Sequence, residues 1–225
     1  MIGSSIPPPQ IDGRLGMTNW NRRSTLIALL AGAASAAYAA PPNRARPGLY
    51  DCEGCEAVDE RSRDSMAASA VIAGADEPGE RLVVEGVVYQ SDGTTLADDI
   101  VVYAHHTNDK GLYAGAGGPT PESRRHGRLR GWVKTGADGR YRFETIKPAP
   151  YPGMTMPAHV HLMIGEPGRR PYYIDDVVFE GEFGVTDRYR ARQELRGGSG
   201  IVRLTRYPEG VLLARRDILL ESHPD

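Results

Sequence analysis

The fold this sequence predicts is all-β: an antiparallel β-sandwich of about seven to eight strands with an N-terminal extension. Three observations point to it. Short β-branched runs recur from Arg81 onward, turn residues punctuate them, and no stretch keeps a helical period. The 27 glycines and 17 prolines suit many short strands better than a helical bundle. A hydrophobic fraction of 40% and a charged fraction of 25% fit a soluble globular chain able to bury a real core. The formal charge of -2 provides no basic footprint, so a nucleic-acid partner is not expected.

Three segments are expected: residues 1–39 as an upstream segment and export signal, 40–80 as a linker and cysteine-bearing arm, and 81–225 as the β-sandwich domain. Asn21-Arg22-Arg23-Ser24-Thr25 precedes the apolar run Leu26 to Ala31, and small residues then lead to Ala37-Tyr38-Ala39. This paired-arginine region, short apolar stretch and A-x-A signal resemble a bacterial twin-arginine export signal. An ordinary secretory signal is the alternative. The apolar run is shorter than the ~20 residues a spanning helix needs, so no stable membrane anchor is expected. Met17 makes a more typical signal start, which leaves residues 1–16 upstream of it. The expected location is periplasmic or secreted, after cleavage near Ala39.

Pro41 to Pro47 reads as a loose linker. Cys52 and Cys55 are the only cysteines. In an oxidising compartment such a C-x-x-C pair is most simply a disulfide stapling the arm. A redox dithiol would want a flanking βαβ pattern, and a zinc site two further ligands. Ala57 to Glu80 shows no clear period; a short helix and a surface wrap both stay open.

Leu82 to Tyr89 is the first clear strand, closed by the turn Ser91-Asp92-Gly93, and Ile100 to His105 is the next. A Gly-rich loop from Asp109 to Pro121 carries Tyr113. Gly131 to Thr135 and Arg140 to Glu144 flank Ala137-Asp138-Gly139, which reads as a hairpin. Further strands are expected at Tyr172 to Glu180, Ile201 to Leu204 and Val211 to Leu220.

The stretch Tyr151 to Ile164 organises the rest. From His159 the residues alternate, so His159, His161 and Met163 face one side of a strand and Val160, Leu162 and Ile164 the other. Pro157 cannot donate a ladder hydrogen bond and marks the strand's beginning. Imidazoles about 7 Å apart along one face can converge on a single ion. Tyr151, beside a proline and a glycine in a segment that must turn, can fold back toward the same ion. The bland alternative is a hydrogen-bonded, partly exposed histidine pair.

Glu144 to Pro152 followed by Pro157-Ala158-His159-Val160-His161 resembles the core of the intradiol ring-cleavage dioxygenases, relatives of protocatechuate 3,4-dioxygenase and catechol 1,2-dioxygenase. The similarity extends to Asp138-Gly139-Arg140-Tyr141, Lys110-Gly111-Leu112-Tyr113 and Val178 to Glu182, covering roughly residues 81 to 185. It implies a β-sandwich holding one non-haem Fe(III) per chain through Tyr113, Tyr151, His159 and His161. Hard ferric iron suits phenolate oxygen, and imidazole completes the set. The implied reaction inserts both atoms of O2 into a catechol-type diol without a reducing cofactor and gives a cis,cis-muconate. In it Tyr151 leaves the metal and accepts a substrate proton. Tyr141 also sits in a Gly-x-Tyr sequence, but its strand position gives it a packing role. His105, His106 and His126 match no family role and are expected at the surface or behind the ligands.

Met156 departs from this pattern, since the family usually places arginine immediately before Pro-Ala-His-x-His. A thioether cannot replace a guanidinium. Arg128, Arg130, Arg169 and Arg170 are the candidates to supply charge from another loop. The helical dimerisation segment of the catechol enzymes is also missing, so a homo-oligomer is left open. Two rival functions stand beside the enzyme. One is a non-catalytic β-sandwich binding module. The other is a different His-x-His metalloenzyme, such as a cupin-type oxygenase or a zinc hydrolase, for which His223 is a poor third ligand.

Overall fold

A computed structural model describes residues 45–224; the export-signal readings at residues 1–39 lie outside them. The described residues form eleven strands: β1 Ser69–Val71, β2 Arg81–Tyr89, β3 Val101–His106, β4 Arg130–Lys134, β5 Arg140–Ile146, β6 His159–Gly165, β7 Tyr172–Phe179, β8 Ile201–Val202, β9 Leu204–Arg206, β10 Leu212–Arg215 and β11 Ile218–Leu219. Two four-residue helices interrupt them, α1 Pro121–Arg124 and α2 Asp187–Arg190. Among the described residues no helix is long and apolar enough to cross a membrane.

One sheet has the order β1-β5-β2-β10-β9, with β11 also on β2, and the other has the order β4-β3-β6-β7-β8. The two sheets face each other across one core. Leu82, Val84, Val88 and Phe143 from the first meet Val102, Ala104, Val160, Leu162 and Ile164 from the second. The β-rich expectation holds, but the sheets are mixed rather than antiparallel. β1 runs parallel to β5, β10 and β11 parallel to β2, and β8 parallel to β7. These parallel partners are short terminal strands, which alternation alone cannot orient. The expected final strand is broken at Arg216-Asp217 into β10 and β11, and Arg203 separates β8 from β9.

The hairpin expected around Asp138-Gly139 is corrected. Its turn forms, with the Gly139 N–H donating to the Gly136 carbonyl at 2.8 Å. The strands on either side nevertheless enter different sheets, β4 pairing β3 and β5 pairing β2 over seven residues. A local turn signal fixes the reversal, not the partner.

The arm, open in the sequence, forms a 3-10 helix at Cys55–Glu60, a second short one at Arg63–Ser65, and β1. Cys52 and Cys55 are joined in a disulfide, with their Cα atoms 5.7 Å apart. The first 3-10 helix covers the outer face of the second sheet. Its Ala57 and Val58 pack with Val101, Tyr103, Trp132 and Met163, and the Trp132 indole N–H donates to the Ala57 carbonyl at 2.8 Å.

Candidate metal centre

The β6 alternation read from sequence is present. Val160, Leu162 and Ile164 enter the inter-sheet core, while Met163 joins the outer-face cluster. His159 and His161 lie on that outer face, beyond the cover of the arm. Two devices bring the phenols to them. Tyr151 begins a turn closed by the Met154 N–H on the Tyr151 carbonyl at 3.2 Å. Tyr113 ends a loop cinched by Asn108, whose side-chain oxygen accepts from the backbone N–H of Lys110 and of Leu112. Gly111, with φ +75, lies so close to Pro150 that a Cβ there would sit 2.0 Å from its carbonyl oxygen. Only glycine lets the Tyr113 loop lie against the Tyr151 segment.

The four groups read from sequence meet. Tyr113 Oη lies 2.7 Å from Tyr151 Oη and 2.9 Å from His161 Nε2. Tyr151 Oη lies 3.1 Å from His159 Nε2 and 3.5 Å from His161 Nε2. The two Nε2 atoms are 3.1 Å apart. The ring orientations define the proton positions. His159 Nδ1 donates to the Pro157 carbonyl at 2.7 Å, and His161 Nδ1 donates to Asp176 Oδ1 at 2.8 Å. In the neutral rings both Nε2 atoms therefore present lone pairs.

Neutral side chains bring only two protons, those of the phenols, to these five short contacts. Even if each phenol donates to one imidazole, the 2.7 Å contact between the phenol oxygens and the 3.1 Å contact between the two Nε2 atoms hold no proton, and a cation would satisfy both. First-row metal–nitrogen bonds of about 2 Å place neighbouring donors about 3 Å apart, which is the spacing found. The residues present fit a metal ion, and two hard oxygens with two imidazoles favour iron over a soft-ligand metal.

Electrostatics agree. Burial, reinforced by the Tyr151 hydrogen bond, pushes the Tyr113 phenol well up, and burial raises Tyr151. The protein alone thus opposes ionisation, and a phenolate pair needs a bound cation. Burial pushes the Asp176 carboxyl up, but attraction and hydrogen bonding to His161 outweigh it and leave it below the ordinary value. Burial works against the His161 imidazolium, yet Asp176 raises it overall.

Asp176 was missed in the sequence. It arises from a register shift in β7, where Val160 pairs Val177 but Leu162 pairs Ile174. Two residues, Asp175 and Asp176, then oppose His161, as in a β-bulge. The signal available was an Asp-Asp pair inside a β-branched strand. Because Asp176 holds Nδ1, on the far side of the ring from Nε2, it orients His161 rather than joining the four converging donors.

Of the two places expected for His105, His106 and His126, the surface is excluded, since all three are buried, and His105 lies behind His161 with the rings 4.5 Å apart. His106 is tied to Thr145 Oγ1 and the Thr107 carbonyl, both at 2.7 Å. Burial brings His106 and His126 down to about 4, and burial with the surrounding imidazoles holds His105 far lower than usual. Tyr141 packs as expected, its hydroxyl donating to the Arg216 carbonyl at 2.7 Å. His223 is engaged elsewhere, by Tyr50 and Glu166.

The depressed value of His106 sets an acid limit on the fold. A base whose folded pKa lies below its unfolded ~6.5 contributes stability above that pH and loses it as pH falls toward the folded value. His106 is therefore expected to cost the fold roughly 2 kcal/mol at pH 4.5 relative to pH 7.5. Denaturant unfolding of wild type and His106→Gln at both pH values checks this. The gap between the two proteins should narrow in acid, and a constant gap would contradict it.

A family model described as dioxygenase (Dioxygenase_C) matches residues 58–197, and the chain belongs to that dioxygenase family. Among relatives, chlorocatechol 1,2-dioxygenase of Rhodococcus opacus is 34% identical over 125 residues, covering 48% of this chain and 47% of that protein. Catechol 1,2-dioxygenase 1 of Acinetobacter lwoffii is 38% identical over 101 residues, covering 44% and 32%. The chain thus spans about half the length, or less, of these curated relatives. The crystal structure of Acinetobacter radioresistens catechol 1,2 dioxygenase is similar in fold, with a TM-score of 0.54 at 19% identity, covering 71% of this chain and 58% of that one.

Proposed function

We propose that the chain is an intradiol dioxygenase that opens a catechol-type aromatic diol with O2 at one non-haem Fe(III). Tyr113, Tyr151, His159 and His161 would hold the ion. The observation that carries this reading is the convergence of two phenol oxygens and two imidazole nitrogens in which two phenol protons cannot fill all the close contacts. When bound, Fe(III) would supply the Lewis acidity and electron exchange that let a diol ring react with O2. The protein's part is positional and protonic. Tyr113, His159 and His161 stand on braced segments and hold geometry. Tyr151 precedes the exposed residues 152–155. Its Oη would accept a proton from a diol hydroxyl. Asp176 keeps the His161 lone pair directed inward. The product is a cis,cis-muconate-type diacid.

The test is oxygen uptake with catechol, followed by muconate absorbance in the ultraviolet. A binding module would take up the diol without consuming oxygen. The substituent preference follows from charge. Met156 is half-buried where the resemblance places arginine, and residues 150–158 carry no charged side chain. Three of the four candidate arginines have partners elsewhere. Arg128 pairs with Glu77, Arg130 with Glu60, and Arg170 lies over Tyr50. A ring carboxylate would meet no free cation from these three, so catechol should exceed protocatechuate in kcat/KM by on the order of tenfold or more. Equal values for the two would contradict this preference.

Export is part of the proposal. The paired-arginine segment before Ala39 and the Cys52–Cys55 bridge both suit an oxidising compartment outside the cytoplasm. Fractionation of the expressing cell tests it.

A further inference from the structure

His105 is a buried group with no part in the chemistry proposed above. It stands on β3 directly opposite His161 on β6, is 4% exposed, and its Nδ1 has no hydrogen-bond partner among the described residues. Its ring lies between two others. The His126 ring is 3.8 Å away with planes 12° apart, and the His161 ring 4.5 Å away with planes 21° apart. The outer end of this column is fixed as well. His126 Nδ1 is 2.8 Å from the Tyr103 hydroxyl. A Cβ at Gly54, between the two bridged cysteines, would lie 2.6 Å from His126 Nε2. The backbone of the disulfide-closed turn thus backs the stack of three imidazoles.

We infer that His105 is a positioning residue for His161, its face setting the tilt of the ligand ring while Asp176 sets the ring's rotation. This rests on reading the four-residue cluster as a metal centre. The physical need is plain. The hydrogen bond from His161 Nδ1 to Asp176 anchors one edge of the ring at 2.8 Å, and contacts in the ring plane such as this one do not stop the ring rocking out of that plane. A flat partner at stacking distance removes this freedom. A ligand lone pair must be held on axis to keep its metal, and groups that orient a ligand typically change affinity by about 10- to 100-fold.

Three holoproteins separate the roles: wild type, His105→Leu, which fills the space without a ring face, and His105→Phe, which restores a face without nitrogens. Each is first shown by circular dichroism to melt cooperatively. Iron release to a competing chelator and the visible tyrosinate-to-iron band are then measured. His105→Leu is expected to release iron on the order of tenfold faster with a displaced band, and His105→Phe to recover most of both. Leucine behaving as wild type, or phenylalanine no better than leucine, overturns the inference while the metal reading stands. A wild type that takes up no iron overturns both.

Discussion

Tyr113→Phe is expected to weaken and shift the visible charge-transfer band, leaving only the Tyr151 contribution, and to lower ring-cleavage turnover by roughly 100-fold or more, while Tyr141→Phe leaves the band unchanged. The two tyrosines share a Gly-x-Tyr sequence context and are separated by their surroundings. Tyr113 Oη touches Tyr151 Oη and His161 Nε2, so its loss takes away one of two anionic oxygens. Tyr141 is fully enclosed on β5, and its hydroxyl ends on the Arg216 carbonyl. Removing that hydroxyl leaves one buried carbonyl short of a donor, about 1–3 kcal/mol of stability, with no effect on colour. Visible spectra of the two iron-loaded variants decide the matter. Identical spectra would mean that Tyr113 is not a ligand.

Asp176→Ala is expected to weaken iron binding by about 10- to 100-fold, with Asp176→Asn between it and wild type. The carboxylate fixes the proton on His161 Nδ1, which leaves Nε2 unprotonated and directed at the cluster. Alanine removes both the acceptor and the charge. Asparagine keeps an acceptor oxygen but loses the charge that favours a polarised imidazole. Chelator competition on the three proteins gives the ranking. If alanine binds iron as tightly as wild type, His161 is held by its other contacts and Asp176 has only a structural part.

Much of the site was legible because it rests on local rules. Strand alternation put His159 and His161 on one face, and Pro157 marked where the strand starts. The Tyr151-Pro152-Gly153 turn and Gly111 are also local signals. What the sequence did not carry is non-local. Asp176 reaches His161 only through a register shift between β6 and β7, and no single strand's pattern reports such a shift. His105 becomes a neighbour of His161 because β3 pairs β6, and His126 joins it beside the Gly54 turn, contacts between residues far apart in the chain. The same limit explains the hairpin. Ala137-Asp138-Gly139 makes its turn, yet the pairing of β5 with β2 sends the following strand into the opposite sheet. The C-terminal strands went the same way, since two to four residues of β-branched or apolar sequence do not state whether they run parallel or antiparallel to β2.

The most direct measurement is metal content together with the visible spectrum of protein purified from iron-replete cells. About one iron per chain and a red-brown tyrosinate-to-iron band that shifts when catechol is added is the predicted result. A colourless protein that stays iron-free after reconstitution would contradict the account.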